Sequence, residues 1–412
     1  MTYEFEYFLQ LMGAASMGKK APPPTKDLNW DTVFELAKQQ QILPLICHAV
    51  RDNPPSNSPD VRSLLFASLA RKGSTIALLE EMHNSGIPSC VVKGFAASQY
   101  YAEPDYRISG DTDIIIDLEN EERAYAFLKE HGFSIKPRPK NEHHGSAIHP
   151  EIGTLEIHVS LYGRVESEIW FENTNIDTLI QEPKQAITTP DGTYWTLGPT
   201  DHLIFMALHM IKHFIYSGMC VRMMTDVALT IANGKDLDIE RFWAAMSSLK
   251  YETLTNAILW ATIKYCGFPS DRFPGIGDCN ESHTQLILDD LEAGGFLGEK
   301  AEAERKPALF EYNRQIILSK RSKAQYPIYM LKWLNVFRLK ALFPEREYLS
   351  KKYPCVQRYP FLVPFVWIYR IFFVGIPNFF HKVIGKKDIQ KTDDIIKKAK
   401  ERVDMFKSLD ML

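Results

Sequence analysis

The sequence predicts an α+β protein, in which a small mixed sheet is flanked by helical regions on both sides in the chain. Three observations carry this. Strand and helix patterns alternate between Pro88 and Ser160, within roughly 75 residues, as in an α/β-type core. Apolar residues recur at helical spacing before Pro88 and again after Pro199. Both changes of pattern fall at a proline, a residue that interrupts regular structure. The chain is therefore read as 1–87, an N-terminal helical region; 88–199, a sheet-bearing core; and 200–412, a C-terminal helical domain.

Each element has a local reason. Pro22-Pro23-Pro24 closes a leader expected to be loosely packed. Asp31 is placed as the N-cap of an amphipathic helix carrying Phe34, Leu36 and Ala37. A second helix is expected over Val61 to His83, with Leu64, Leu65, Ala67, Leu69, Ile76 and Leu79 as its apolar positions. Ser89 to Val92 reads as a short buried strand, ended by Lys93-Gly94, and Phe95 to Tyr101 as a short helix. Asp113 to Asp117 is rich in β-branched residues and reads as a strand. Leu118 to His131 reads as a helix stopped by Gly132, and Phe133-Ser134-Ile135 as a strand. Thr154 to Ser160 alternates Leu155, Ile157 and Val159 with Glu156 and His158, the period of a half-buried strand. Thr200-Asp201 then caps a helix carrying Leu203, Phe205, Ala207 and Leu208, and another helix spans Arg222 to Ala232. Prolines break the region from Pro327 to Pro377, and Asp388 to Leu409 reads as a Lys-rich amphipathic helix.

Composition narrows the function classes. Apolar residues make up 45% and charged residues 24%, as in a globular protein, and the net charge of −3 gives no electrostatic footprint for general nucleic-acid binding. The six cysteines form no CxxC pair, so neither a zinc ribbon nor a thioredoxin-type motif is expected; reduced thiols in a cytoplasmic protein are. The acidic start Met-Thr-Tyr-Glu-Phe-Glu has no basic region followed by an apolar run, so no signal peptide is expected. The most apolar stretch, Tyr359 to Phe380, is broken by Arg370 and three prolines into pieces shorter than the roughly 20 residues a bilayer span needs.

The chemistry concentrates at Ser109-Gly110-Asp111-Thr112-Asp113. Residues i and i+2 of a strand share a face, so Asp111 and Asp113 point the same way. Two carboxylates that close disfavour each other's ionisation unless a cation lies between them, and hard oxygen ligands select Mg²⁺ or Mn²⁺. The alternative is a turn, for which the same residues are also suited. Gly94 follows a strand and opens a helix, so its backbone and the helix N-terminus are placed to meet phosphate; the alternative is a tight strand-to-helix turn. Lys93 precedes it, and Arg107 lies four residues before Asp111, within reach of a triphosphate or simply solvated. Glu156, between Leu155 and Ile157, is a third carboxylate if its strand neighbours the Asp pair, and a solvent-face residue otherwise. His158 shares its face. His143, His144 and His149 lack zinc-site spacing and read as loop histidines.

Lys93-Gly94, Gly110 to Ile115 and Leu155-Glu156-Ile157-His158 together resemble the DNA polymerase beta-type nucleotidyltransferase superfamily. More closely, the chain is similar to the uncharacterised nucleotidyltransferase family often found beside polysaccharide or peptide natural-product biosynthesis functions in bacteria. Tyr100-Tyr101, Arg107, His209-x3-His213, Arg222-x3-Asp226 and Leu342-Phe343-Pro344 extend the match. Phe95 departs from it, since the superfamily usually has Ser or Gly after the glycine. The resemblance implies a nucleotidyltransferase core over 88–199 and a Mg²⁺-dependent transfer of a nucleoside monophosphate from an NTP to an unknown acceptor. Asp111, Asp113 and Glu156 would be the catalytic metal ligands, and Lys93, Gly94 and Arg107 would hold the triphosphate. The other readings are a non-catalytic nucleotide-binding or assembly module of a biosynthetic complex, and a membrane-peripheral partner contacting lipid through Phe361 to Phe380 and the Lys-rich final helix.

Overall fold

The computed structural model describes residues 1–139, 142–162, 176–216, 218–293, 358–370 and 386–412, with a few isolated positions between them. It begins with a helix, α1 (Tyr3–Ser16), where a loose leader was expected. Phe5, Phe8, Leu9 and Met12 recur at helical spacing and are buried, and the Thr2 hydroxyl accepts from the Phe5 amide as N-cap. α2 (Trp30–Gln39) is capped by Asn29 rather than by Asp31: Asn29 Oδ1 accepts from the Thr32 amide at 3.2 Å, and Asp31 lies in the first turn. α3 (Leu43–Ala49) follows, then α4 (Arg62–Asn84). The C-terminal half of α4 buries Ile76, Leu79 and Met82, whereas Leu64, Phe66 and Ala67 are exposed, so the expected apolar stripe holds only in that half.

The sheet is built from β1 (Ser89–Val91), then, after the single-turn helix α5 (Phe95–Ser98), β2 (Asp111–Ile116). After α6 (Glu121–Glu130) come β3 (Ser134–Lys136), β4 (His144–His149), β5 (Gly153–His158), β6 (Gln185–Thr189) and β7 (Gly192–Thr196). Its seven strands run β3-β4-β5-β2-β1-β7-β6, with β2 parallel to β5 and antiparallel to β1. Three strands went unforeseen. β4 occupies the stretch read as loop histidines, with His144 and His149 as its ends. β6 and β7 form a hairpin around Pro190-Asp191, flanked by Ile187, Tyr194 and Trp195.

Register makes the sheet two-faced. Ile114, Ile116, Leu155, Ile157 and Ala147 share one face and form a core with Ile76 and Leu79 of α4 and Leu128 of α6. The opposite face carries Asp111 and Asp113 on β2, Thr154, Glu156 and His158 on β5, and His144 on β4; Asp113 pairs with Glu156, and His158 with His144. Burial of the apolar face holds the strands in register, since a one-residue slip would send the carboxylates into the core.

Helices then cover the polar face. α7 (Pro199–Tyr216) starts before the expected cap, and its free amides at Thr200 and Asp201 donate instead to the Glu182 carboxylate, at 2.9 and 3.2 Å. α8 (Val221–Asn233), α9 (Ile239–Ser248), α10 (Glu252–Cys266) and α11 (Glu281–Ala293) follow, then α12 (Val363–Arg370) and the final helix, α13 (Lys386–Ser408). Residues of α1, α2, α3, α7, α8, α10 and α13 share one apolar core. α1 crosses α10 at Gly13, where an added Cβ would lie 1.7 Å from the Cys266 carbonyl oxygen. Gly13→Ala should therefore cost about 1–3 kcal/mol of stability; an unchanged urea midpoint would reject this close crossing. Leu342-Phe343-Pro344, most of the proline-rich stretch and residues 371–380 lie outside the described residues. Among those described, no helix is long and apolar enough to cross a membrane.

Candidate active site

One cavity of about 650 Å³ lies between the polar face of the sheet and α7 and α8. Asp111, Asp113, Glu156, Lys93, Gly94 and Arg107 all line it. Asp113 is 1% exposed and is the most heavily engaged of the carboxylates: its Oδ1 meets Lys93 Nζ at 2.6 Å and His158 Nε2 at 3.0 Å. The backbone sets up the first contact, because the Val92 amide donates to the Asp113 carbonyl and delivers Lys93 beside it. Burial pushes the Asp113 carboxyl upward, but the Lys93 ammonium and the His158 hydrogen bond outweigh it and hold the group well below the usual carboxylate range. Asp111 goes the other way, raised by burial and by the charge of Asp113.

The three expected carboxylates do not converge equally. Of the carboxylates, Asp113 and Glu156 place donor atoms within 4.8 Å of each other and of His158, whose Nε2 is 3.5 Å from Glu156 Oε2; His158 also falls within that distance of His143 and His144. Asp111 pairs with Thr154 at the mouth of the strand pair, one same-face step away, and lines the cavity outside that trio. These donors suit a divalent cation, since hard carboxylate oxygens and a neutral imidazole are its common protein ligands.

Gly94 takes φ 61° and ψ −124°, a conformation open to glycine, and turns the chain tightly under Ser109 and Asp111. The helix it opens has only four residues, too few aligned peptides for the anion-binding N-terminus expected there. Arg107 is neither solvated nor directed outward. Its Nε and Nη2 donate to Asp226 on α8 at 3.1 and 2.5 Å, and Tyr101 Oη donates to the same carboxylate at 2.7 Å. This buried knot ties the segment before β2 to α8.

A basic wall faces the carboxylates. His209, Lys212 and His213 fall on one face of α7 by their spacing and line the cavity, as does Arg222 of α8. Lys93 Nζ is 3.2 Å from His209 Nε2, and Lys212 Nζ is 2.6 Å from His143 Nε2. Lys212 and the buried His143 were missed as site residues, although Lys212 repeats the helical step from His209. Burial, then the Lys93 charge, depresses His209 well below its ordinary value; burial, then Lys212, depresses His143; and burial, then Lys93 and Lys212, takes His213 to about 3.

These neutral imidazoles give the fold an acid sensitivity. Away from the cavity, His202 donates to the Val92 carbonyl and is lowered by burial to about 4. Between its unfolded value of 6.5 and that value the unfolded chain binds the extra proton, so stability falls as pH drops. His202 alone should cost on the order of 3 kcal/mol across that window, at about 1.4 kcal/mol per pH unit. The urea midpoint should fall steadily from pH 7 to pH 5, and a flat profile would contradict the burial.

A family model described as "Uncharacterised nucleotidyltransferase" matches residues 26–267. No curated protein matches the chain. Among solved structures, an antigenic nucleotidyltransferase-like protein from Paracoccidioides brasiliensis is similar at 14% identity and a TM-score of 0.31, over 48% of this chain and 94% of that one. CCA-adding enzyme in complex with ATP is similar at 12% identity and a TM-score of 0.23, over 65% and 78% of the two chains. Its complex with CTP gives 13% identity and 0.22, over 85% and 94%.

Proposed function

Given that this chain belongs to the uncharacterised nucleotidyltransferase family, we propose that it moves a nucleoside monophosphate from an NTP to an acceptor nucleophile such as a hydroxyl, in a site assisted by Mg²⁺ or Mn²⁺. The observation that carries this is the pairing of Asp113 with Glu156 across parallel strands on one wall of the cavity, with Asp111 beside them. Asp111, Asp113 and Glu156 would hold the metal, which when bound supplies charge neutralisation at the phosphates and lowers the acceptor's pKa. Lys93 and Gly94 are assigned to the triphosphate, Lys93 as a charge and Gly94 as backbone that a ligand can approach closely. Arg107 lines the same cavity, and its pair with Asp226 fixes where it stands. The basic wall of α7 and α8 suits the remaining negative charge of the nucleotide.

The acceptor is sought directly. The protein is incubated with each labelled NTP, Mg²⁺ and cell extract, and the labelled product is identified. Metal-dependent transfer is the expected result. Nucleotide binding without turnover would favour a non-catalytic module instead. Glu156→Gln keeps shape and removes one charge; transfer should be abolished with little change in the urea midpoint. Unchanged turnover would take Glu156 out of the catalytic set.

A further inference from the structure

We infer that the metal centre is a mixed nitrogen–oxygen site in which His158 is a direct ligand with Asp113 and Glu156, so that it prefers a divalent first-row transition ion to Mg²⁺. This deepens the transfer reading above and rests on it. The geometry departs from a site made of carboxylates alone. The donor atoms of Asp113, Glu156 and His158 converge within 4.8 Å, while Asp111, the remaining carboxylate of the set, lies one same-face step away. One nitrogen, His158 Nε2, faces both carboxylates, 3.0 Å from Asp113 Oδ1 and 3.5 Å from Glu156 Oε2. The convergence is built into the sheet. Asp113 lies opposite Glu156, and His158 is the next residue on the same face of β5.

His158 is buried in its place, with the ring of His144 from β4 stacked at 5.1 Å. An imidazole fixed between two carboxylates is a poor ligand for Mg²⁺, which takes oxygen and gives up water reluctantly. Transition ions accept the nitrogen readily, and their affinities for such N/O sites exceed those of hard ions.

The test uses the full chain freed of metal, with Mn²⁺ and Mg²⁺ as probes and no nucleotide. Pulsed electron paramagnetic resonance of the Mn²⁺-loaded protein should show coupling to an imidazole nitrogen. Carboxylates alone also take Mn²⁺, so the reading of a competition titration lies in the His158-dependent part: Mn²⁺ should bind ahead of Mg²⁺, with roughly tenfold of that preference, about 1.4 kcal/mol, depending on His158. His158→Gln should lose the coupling and that part of the preference. The measurement on the unaltered chain stands even if that variant does not fold. Bound Mn²⁺ without nitrogen coupling overturns the inference, as does coupling that survives in a folded His158→Gln variant. Equal affinity for the two ions also overturns it. The labelled-NTP assay, run beside these with Mg²⁺, decides the transfer reading separately. Transfer with Mg²⁺ but no nitrogen coupling would leave that reading standing and remove His158 from the metal.

Discussion

Asp113→Asn should reduce NTP-dependent transfer by about a thousandfold, comparable to the loss of a principal electrostatic contact to a transition state. The carboxylate is buried at the centre of the cavity and engages Lys93 and His158 through one oxygen. The substitution has a second, separable effect. It leaves the part-buried Lys93 ammonium without its counter-charge, which costs on the order of 3 kcal/mol when a buried pair is broken from one side. Lys93→Met combined with Asp113→Asn removes both charges and should restore most of the urea midpoint while activity stays lost. Because the Asp113 carboxyl is depressed in the fold, its stabilising share is present above the ordinary carboxylate value and is lost as pH falls below it. A folded Asp113→Asn protein with normal turnover would remove Asp113 from the reaction.

Arg107→Met should cost the fold about 3–5 kcal/mol, the largest stability effect expected here. Both partners of the Arg107–Asp226 pair are buried, and truncating the arginine leaves Asp226 with Tyr101 as its remaining close donor in this knot. Arg107→Met with Asp226→Leu should recover part of the loss, measured as the coupling in a double-mutant cycle by urea unfolding. A small single-mutant effect would show that the ion pair is not needed to hold the segment before β2 against α8.

The parts of the site legible in the sequence were those set by local period. Asp111 and Asp113 share a face because strands alternate, and the β-branched run after them fixes the strand type. Glu156 was legible as a strand position but not as a neighbour of Asp113, since strand order is a non-local choice that local alternation does not encode. The basic wall was hidden for the same reason: Lys212 sits at ordinary helical spacing, and only the crossing of α7 over the sheet brings it to His143. Arg107 reads from the sequence as a triphosphate contact or a solvated arginine; its ion pair is hidden because its partner, Asp226, is remote in sequence and on another element. In two places a local signal is present in the sequence: the apolar repeat of Phe5, Phe8, Leu9 and Met12 ahead of the triple proline, and the turn residues Pro190-Asp191, which join two strands in a hairpin.

The crossing at Gly13 bears on how the protein can be cut. The segment matching the family, 26–267, contains Cys266 but not the helix that lies on it. A fragment trimmed to that segment would expose the apolar groove that Phe5, Phe8, Leu9 and Met12 fill, and with it a sticky surface unrelated to any partner. Boundaries drawn from sequence similarity and boundaries that leave a soluble piece are therefore different here, and expression fragments should begin before α1.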